Sequence, residues 1–357
     1  MAAEMLGIQA SSFLRHSNQE RGLIKMLKNA TIKPITGTFV NMLISDTGIV
    51  NAGLAEWEKD FQMMKVLGID HLFIIRTEWE QNGCHLSAED PRSTTWPEDE
   101  NLLDLVFRLG DKYDMTVFLG GPVSITNIHL GDWKKEVDNN KRYYDRTVAK
   151  YAHHKCLKGL YVSLEALPWH FNFLDICLGV LQYMRKTFPN MKTFMSPSFT
   201  GLLGDMSTRY TPQQWCDIYG RYFFEPAAGL LDYCAPQDTI ACPECELGVI
   251  GDNGLREWYT EAGKLFKKCG IELWSNIETF QRPFPGHGEP NGVFRQADYR
   301  TLYMKLSEAS PLVERIITYE YFSCMSPNTE WGSSRRLLKR YMEILGKDPQ
   351  IIDEIFG

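Results

Sequence analysis

Residues 54–76 read LAEWEKDFQMMKVLGIDHLFIIR, and this stretch contains one complete helix-to-strand unit. Apolar side chains recur at spacings of three and four between Leu54 and Leu67, which predicts a helix with one buried face. Gly68 is expected to end that helix, because glycine readily adopts the left-handed conformation of a helix terminus. The apolar run at residues 72–75 predicts a strand that is buried on both faces. The stretch therefore predicts a helix packed against a parallel sheet.

The same unit recurs along the whole chain. Predicted strands begin at residues 35, 71, 116, 160, 193, 231, 271 and 315, and a predicted helix follows each one. Alternation of this kind indicates parallel pairing through right-handed crossovers. Eight units predict closure into a (β/α)₈ TIM barrel, an α/β fold. The alternative is an open doubly wound sheet, but the GxGxxG turn that usually follows its first strand is absent.

We predict a single barrel domain over residues 35–346, with an N-terminal extension over residues 1–34 and a C-terminal tail over residues 347–357. The predicted connections from helix to strand are short. Those from strand to helix are long, and they cover residues 77–100, 124–135, 239–254 and 281–294. In a barrel the long set shares the carboxyl-end face, where enzymes of this fold place their active sites.

Composition excludes several classes of partner. The chain has 357 residues and a net charge of −7 without a Lys/Arg run, so nucleic acid is not expected to bind. No apolar run approaches the roughly 20 residues of a membrane span. No signal peptide is evident, which predicts a cytoplasmic protein unless a signal peptide has been removed for export. Nine cysteines, an odd number, favour reduced thiols, and the lone CxxC of Cys242 and Cys245 is interpreted as chance.

The expected carboxyl ends of the strands carry four carboxylates and one cation. Arg76 ends strand two, Glu165 strand four, Asp238 strand six, Glu278 strand seven and Glu320 strand eight. A buried carboxylate is costly unless it is paired or functional, and Arg76 is expected to neutralise one of the four. Two carboxylates across a pocket are the minimal equipment for glycoside hydrolysis.

Other chemistries lack their sequence signatures. The HxH and HExxH spacings of metal sites, the P-loop and the GxSxG elbow are absent. No lysine lies inside a predicted barrel strand, where Schiff-base chemistry would need it. The sequence therefore predicts a reaction without a metal or other cofactor.

Several stretches resemble a bacterial family. They are Ile35-Thr-Gly-Thr-Phe-Val40, Ala235-Pro-Gln-Asp238, Trp274-Ser-Asn-Ile-Glu278, and Tyr319-Glu-Tyr-Phe322 followed by Met325-Ser-Pro-Asn328. The family is domain of unknown function 4434, grouped with TIM-barrel glycoside hydrolases, and the resemblance runs from about residue 35 to residue 345. It implies a carbohydrate-active barrel.

A wider similarity concerns the large retaining clan of barrel glycosidases. That clan places its acid/base Glu at the end of strand four and its nucleophile Glu at the end of strand seven, which implies these roles for Glu165 and Glu278. This chain has Leu164 where the clan has Asn, and Asp238 or Glu320 is the alternative partner of Glu278.

The leading hypothesis is a glycoside hydrolase that acts on an oligosaccharide or glycoside by a retaining mechanism, with Glu278 as nucleophile and Glu165 as acid/base. The residues expected to bind substrate are Arg76, Gln237, Asp238, Trp274, Asn276, Tyr319, Glu320 and Tyr321. The aromatic members are expected either to line a sugar subsite or to pack in the core. The alternatives are a non-catalytic sugar-binding barrel and a non-metal isomerase or lyase that uses the same carboxylates. The sequence predicts neither a particular sugar nor an oligomeric state.

Overall fold

The computed structural model of the chain describes residues 31–41, 52–82, 84–89, 101–165, 171–199, 210–239, 249, 254–281, 295–329 and 332–357. The strands in chain order are β1 (Ile35–Asn41), β2 (His71–Ile75), β3 (Glu78–Gln81), β4 (Cys84–Ser87), β5 (Thr116–Gly120), β6 (Val123–Ser124), β7 (Leu157–Val162), β8 (Lys192–Met195), β9 (Tyr233–Cys234), β10 (Glu272–Leu273), β11 (Ser275–Glu278), β12 (Phe280–Gln281), β13 (Arg295–Gln296) and β14 (Ile316–Tyr319).

The helices follow the strands as expected. They are α1 (Leu54–Leu67), α2 (Leu102–Lys112), α3 (Ile125–His129), α4 (Trp133–Tyr151), α5 (Phe171–Thr187), α6 (Pro212–Tyr219), α7 (Leu255–Cys269), α8 (Tyr299–Ala309), α9 (Tyr321–Cys324), α10 (Ser334–Ile344) and α11 (Ile351–Phe356). A π-helical turn, Gly220–Phe224, extends α6 and was not predicted. None of the described helices combines the length and the apolarity that crossing a bilayer requires.

The main sheet closes on itself. Its order is β10-β9-β8-β7-β5-β2-β1-β14-β11, and every neighbouring pair is parallel. Only Trp274 separates β10 from β11, so these segments are two parts of one strand and the described sheet has eight strand positions. The predicted TIM barrel is therefore confirmed, and the open sheet is excluded.

Local signals in the sequence explain where several helices begin and end. Gly68 ends α1 with φ 92°, and Gly270 ends α7 with φ 71°, in the left-handed region that favours glycine. Thr211 begins α6 by accepting a hydrogen bond from the backbone N–H of Gln214, whose side chain in turn accepts one from the Thr211 N–H. The end of α1 at Gly68 agrees with the sequence prediction.

Aromatic rings fill the interior of the barrel. Phe73 lies at its centre, with ring centroids 4.2 Å from Phe194 and 5.0 Å from Phe118. The remaining large members of this buried cluster are Phe39, Ile75, Tyr161, Trp274 and Ile317. Burying one such side chain stabilises the fold by about 1.5–3 kcal/mol. Gly159 makes room for the cluster, since a Cβ there would lie 2.2 Å from the Phe118 ring.

The structure departs from the predicted elements in two places. Residues 77–100 were predicted as a loop, but β3 and β4 form an antiparallel hairpin whose first strand also pairs with β6. Residues 295–296 were predicted as the start of a helix, but they pair with β12, and Asp298 caps α8 instead. The hairpin has a local signal in Asn82-Gly83, a two-residue turn that the loop prediction did not use. At residues 295–296 backbone pairing with β12 overrides the helix signal.

Residues 1–30 of the predicted extension, most of the predicted loops 239–254 and 281–294, and Cys242 and Cys245 lie outside the described residues. Within the predicted C-terminal tail, Ile351–Phe356 forms helix α11. Lys347, at the start of that tail, donates a 2.7 Å hydrogen bond to the Val66 carbonyl. The domain boundaries remain a prediction.

Candidate active site

Strand β11 directs Glu278 toward the barrel interior. Trp274 belongs to the interior cluster, whereas Ser275 faces outward and donates a 2.5 Å hydrogen bond to Tyr259 on helix α7. Because side chains alternate along a strand, Asn276 and Glu278 share the inner face with Trp274. Glu278 is the last residue of the strand and is 3% exposed. The carboxylate is therefore buried at the carboxyl end of the barrel, as predicted.

A buried ion pair fixes the backbone on both sides of Glu278. Asp238 accepts a 3.2 Å hydrogen bond from the Glu278 N–H. The Lys305 ammonium lies 2.9 Å from Asp238 Oδ2 and donates a 3.0 Å hydrogen bond to the Glu278 carbonyl. The Asp238 and Lys305 side chains are 0% and 1% exposed. The predicted substrate-binding residue Asp238 is thus shielded from solvent and bound to the backbone of Glu278.

Glu165 is held by a second ion pair at the mouth. It lies three residues beyond β7, and its Oε1 accepts a 2.8 Å hydrogen bond from Arg76, just beyond β2. Arg76 therefore forms an ion pair with Glu165. The Glu165 side chain is 33% exposed, so solvent or a ligand can reach it. Burial and then the nearby Glu165 carboxylate raise the pKa of Tyr161, which stays a neutral phenol.

Amide side chains lie between the aromatic core and the mouth. Asn276 Nδ2 donates a 3.1 Å hydrogen bond to Ser196, and Asn41 Nδ2 donates one of 3.0 Å to the Tyr319 hydroxyl. The Oδ1 atoms of Asn276 and Asn41 are buried without a hydrogen-bond partner among the described residues. Gln237 bridges Ser196 and the Ser198 hydroxyl. Two acceptors are therefore open to donors such as water or a hydroxyl group.

Glu320 follows a cis peptide bond to Tyr319 at the end of strand position eight. Its side chain is 2% exposed, and its Oε1 accepts a 2.5 Å hydrogen bond from the Ser323 hydroxyl on helix α9. Its carbonyl accepts a 3.2 Å hydrogen bond from Thr279. These contacts tie the strand end to the following helix.

Trp274 and Tyr321, which were expected either to bind substrate or to pack in the core, are both buried in the structure. Trp274 lies in the buried aromatic layer, where it stacks on Tyr233 with centroids 4.7 Å apart and donates to Glu272 at the amino end of the strand. It lies four positions before Glu278, roughly 13 Å along a strand. Tyr321 is fully buried and donates a 2.9 Å hydrogen bond to Asp60 on α1. Both side chains pack in the interior of the protein rather than at the mouth.

A cavity of about 340 Å³ opens beside the mouth. The β3–β4 hairpin supplies Trp79 and His85 to its wall, and helix α4 supplies Tyr143 and Arg146. The Trp79 ring also lies 5.3 Å from the Arg76 guanidinium, so one aromatic side chain separates the cavity from the Arg76–Glu165 pair. None of the four strand-end carboxylates lines this cavity. It therefore adjoins the candidate active site without containing it.

Sequence reasoning missed Lys305 and Asn41. Lysines were sought only within strands, whereas Lys305 extends from helix α8. Its signal was a lysine on the apolar face of that helix, beside Leu302, Leu306 and Ala309, all buried. Asn41 is the last residue of β1, so the strand-end rule that selected Glu278 also applies to it.

Solved structures resemble this fold. A putative alpha-L-fucosidase from Bacteroides thetaiotaomicron VPI-5482 is 27% identical and superposes with a TM-score of 0.75, over 90% of this chain and 95% of that chain. An endo-1,4-beta-D-mannanase from Thermotoga petrophila RKU-1 is 10% identical with a TM-score of 0.48, covering 80% and 88% of the two chains. A xylanase from Thermoanaerobacterium saccharolyticum is 12% identical with a TM-score of 0.43, covering 83% and 87%.

No curated protein matches the sequence. The family model described as Domain of unknown function (DUF4434) matches residues 35–331, which span the barrel from β1 to the segment after α9. The chain belongs to the DUF4434 family.

Proposed function

We propose that this protein is a glycoside hydrolase whose active site is the carboxyl-end mouth of the barrel. The observation that carries the proposal is the buried Glu278, which ends strand position seven and whose N–H and carbonyl are fixed by Asp238 and Lys305. A buried ion pair that binds the backbone on both sides of a residue is expected where the side chain of that residue must be held in one geometry. The likeness to a putative alpha-L-fucosidase over 90% of this chain supports the same reaction class.

We assign the nucleophile to Glu278 and the general acid/base to Glu165. Glu278 attacks the anomeric carbon to form a glycosyl-enzyme ester, while Glu165 gives its proton to the leaving oxygen. Water then releases the sugar after transferring a proton back to Glu165, and the anomeric configuration is retained. The Arg76 guanidinium lies 2.8 Å from Glu165 and orients its carboxyl group, and it stabilises the carboxylate form that acts as the base in the second step.

Substrate hydroxyl groups form hydrogen bonds with the amide side chains that lie between the aromatic core and the mouth. The unpartnered Oδ1 atoms of Asn41 and Asn276 accept hydrogen bonds, and hydroxyl groups of a sugar are donors of the required kind. Gln237 and Tyr319, both partly exposed, complete the polar wall. The substrate class is thus a glycoside or oligosaccharide.

The first experiment is a hydrolysis screen with aryl glycosides, including an aryl α-L-fucoside, and with natural oligosaccharides. Wild-type protein should turn over at least one member of the panel. Glu278→Gln keeps the shape of the side chain but removes the nucleophile, so turnover should fall by about three or more orders of magnitude. Glu272→Gln is the matched control, because Glu272 lies exposed at the amino end of the same strand and should leave turnover unchanged.

Tight sugar binding without turnover across the panel would favour a non-catalytic sugar-binding barrel. The stereochemical course tests the mechanism separately. Proton NMR of the first-formed product should show retention, the outcome for carboxyl groups roughly 5–5.5 Å apart. Net inversion would show that Glu278 activates water instead.

A further inference from the structure

Reactive side chains also cluster at the amino end of the barrel, opposite the mouth. Asp111 lies in the last turn of α2, while His154 and Cys156 lie in the connection from α4 to β7. A carboxylate oxygen, an imidazole nitrogen and the thiol sulfur of these residues all lie within 4.8 Å of one another. Carboxylate, imidazole and thiolate are the three side-chain ligand types that zinc prefers.

The distances suit a tetrahedral ion after small side-chain movements. His154 Nδ1 lies 2.8 Å from Asp111 Oδ2, and Cys156 Sγ lies 3.3 Å from the Phe107 carbonyl. Metal–ligand bonds of about 2.0–2.3 Å place tetrahedral ligands about 3.4–3.6 Å apart. The carboxylate and imidazole must separate slightly, while the sulfur already lies within 4.8 Å of both ligand atoms.

The surroundings hold the ligands and leave an entrance. The His154 ring stacks on Phe107 with centroids 5.4 Å apart, and the Cys156 N–H donates a 2.8 Å hydrogen bond to Asp111 Oδ1. The side chains of His154 and Asp111 are 15% and 28% exposed, whereas Cys156 is 2% exposed. An ion can therefore enter from solvent past the imidazole and carboxylate and meet the sulfur at the base of the site.

We propose that Asp111, His154 and Cys156 bind a divalent ion of the zinc class, with water as a fourth ligand. The ion ties the end of α2 to the start of β7, so its role is structural. This site is independent of the glycosidase proposal, since it lies at the other end of the barrel.

Binding exchanges a proton for the ion. The S–H bond breaks, the sulfur–metal bond forms, and the proton passes to solvent. Affinity therefore increases with pH.

The test is cobalt titration of the full chain after chelator treatment. At pH 8 one equivalent of Co²⁺ should produce the near-ultraviolet thiolate-to-cobalt charge-transfer band, and Zn²⁺ should displace it. Zn²⁺ in excess should also raise the melting temperature by a few degrees, because it binds only the folded site. Absence of both the band and the shift would overturn the proposal.

Substitutions of single residues show which side chains give rise to the charge-transfer band. Cys156→Ser should abolish it, and His154→Gln should weaken cobalt binding at least about tenfold. His153→Gln is the matched control, because its exposed ring adjoins His154, with centroids 4.1 Å apart, but lies outside the cluster.

A second control tests whether the ion binds to the CxxC motif of Cys242 and Cys245 instead. The double variant Cys242→Ser/Cys245→Ser should keep the band. Loss of the band in this variant but not in Cys156→Ser would assign the ion to the CxxC and refute the proposal. If Cys156→Ser does not fold, the difference between His154→Gln and His153→Gln decides the matter.

Discussion

The Lys305 ammonium lies 2.9 Å from Asp238 Oδ2, and neither side chain reaches solvent. Each residue also holds one backbone group of Glu278, through the 3.0 Å bond to its carbonyl and the 3.2 Å bond to its N–H. A helix and two strand ends thus meet at one carboxylate-bearing residue. The ion pair links the packing of α8 to the geometry of the proposed nucleophile.

Lys305→Met should destabilise the protein and reduce turnover together. It leaves the Asp238 carboxylate buried without its cation, which costs about 3–5 kcal/mol. Denaturant unfolding measures the loss, and turnover on the substrate found by the screen measures displacement of Glu278.

The double variant Lys305→Met/Asp238→Asn is the control for that prediction. Both charges are then removed, so it should lose less stability than Lys305→Met alone. Strictly additive free energies of unfolding would show that the two side chains do not interact.

Substitution of Trp79 should change substrate binding but not stability, whereas substitution of Trp274 should reduce stability. Trp79→Ala removes a wall between the cavity and Arg76, so the KM should rise while the free energy of unfolding changes by about 1 kcal/mol or less. Trp274→Ala opens the aromatic core and should cost about 3–5 kcal/mol. Unchanged kinetics in a stable Trp79→Ala protein would show that substrate does not bind against Trp79.

The strand formed by β10 and β11 shows which features of the site the sequence predicts and which it does not. Alternation correctly predicts that Trp274, Asn276 and Glu278 share one face. It does not by itself give their depth in the barrel, which separates a core tryptophan from a carboxylate at the mouth. Depth depends on where the strand begins relative to its neighbours, and that register is set by pairing with β14.

The contact between Lys305 and Glu278 depends on tertiary packing. The two residues are 27 positions apart, and α8 reaches the site only because the crossover returns it against the barrel. The β3–β4 hairpin is a different case, since Asn82-Gly83 between its strands is a two-residue hairpin signal in the sequence. Only the pairing of β3 with β6 depends on tertiary packing. The barrel itself was predictable because each unit carries its own periodic pattern.

Tyr319 and Tyr321 provide a matched pair of hydroxyl deletions. Tyr319→Phe removes the acceptor of the Asn41 amide at the mouth, so turnover should fall with little loss of stability. Tyr321→Phe removes a donor to the buried Asp60 and should cost about 1–3 kcal/mol without changing kcat. Impaired turnover in a fully stable Tyr321→Phe protein would show that Tyr321 contributes to substrate binding or catalysis.

Asp60 makes stability depend on pH. Burial raises the pKa of its carboxyl from 3.8 to about 6, although hydrogen bonds from Ser326, Asn328 and Tyr321 oppose the shift. The folded state therefore binds more protons than the unfolded state between pH 4 and 6. The stabilisation from this group is complete below about pH 4 and is lost as the pH rises through 6. At about 1.4 kcal/mol per pKa unit, the loss is on the order of 3 kcal/mol.

Asp60→Asn removes this titration. Its stability relative to wild type should therefore increase by on the order of 3 kcal/mol between pH 4 and pH 7.5, as measured by urea unfolding at each pH. Asp138→Asn is the matched control, because a hydrogen bond from Lys141 lowers the pKa of the exposed Asp138 carboxyl below this range. A constant difference between Asp60→Asn and wild type from pH 4 to 7.5 would mean that Asp60 ionises alike in the folded and unfolded chain. Its three hydrogen bonds would then fully offset the effect of burial.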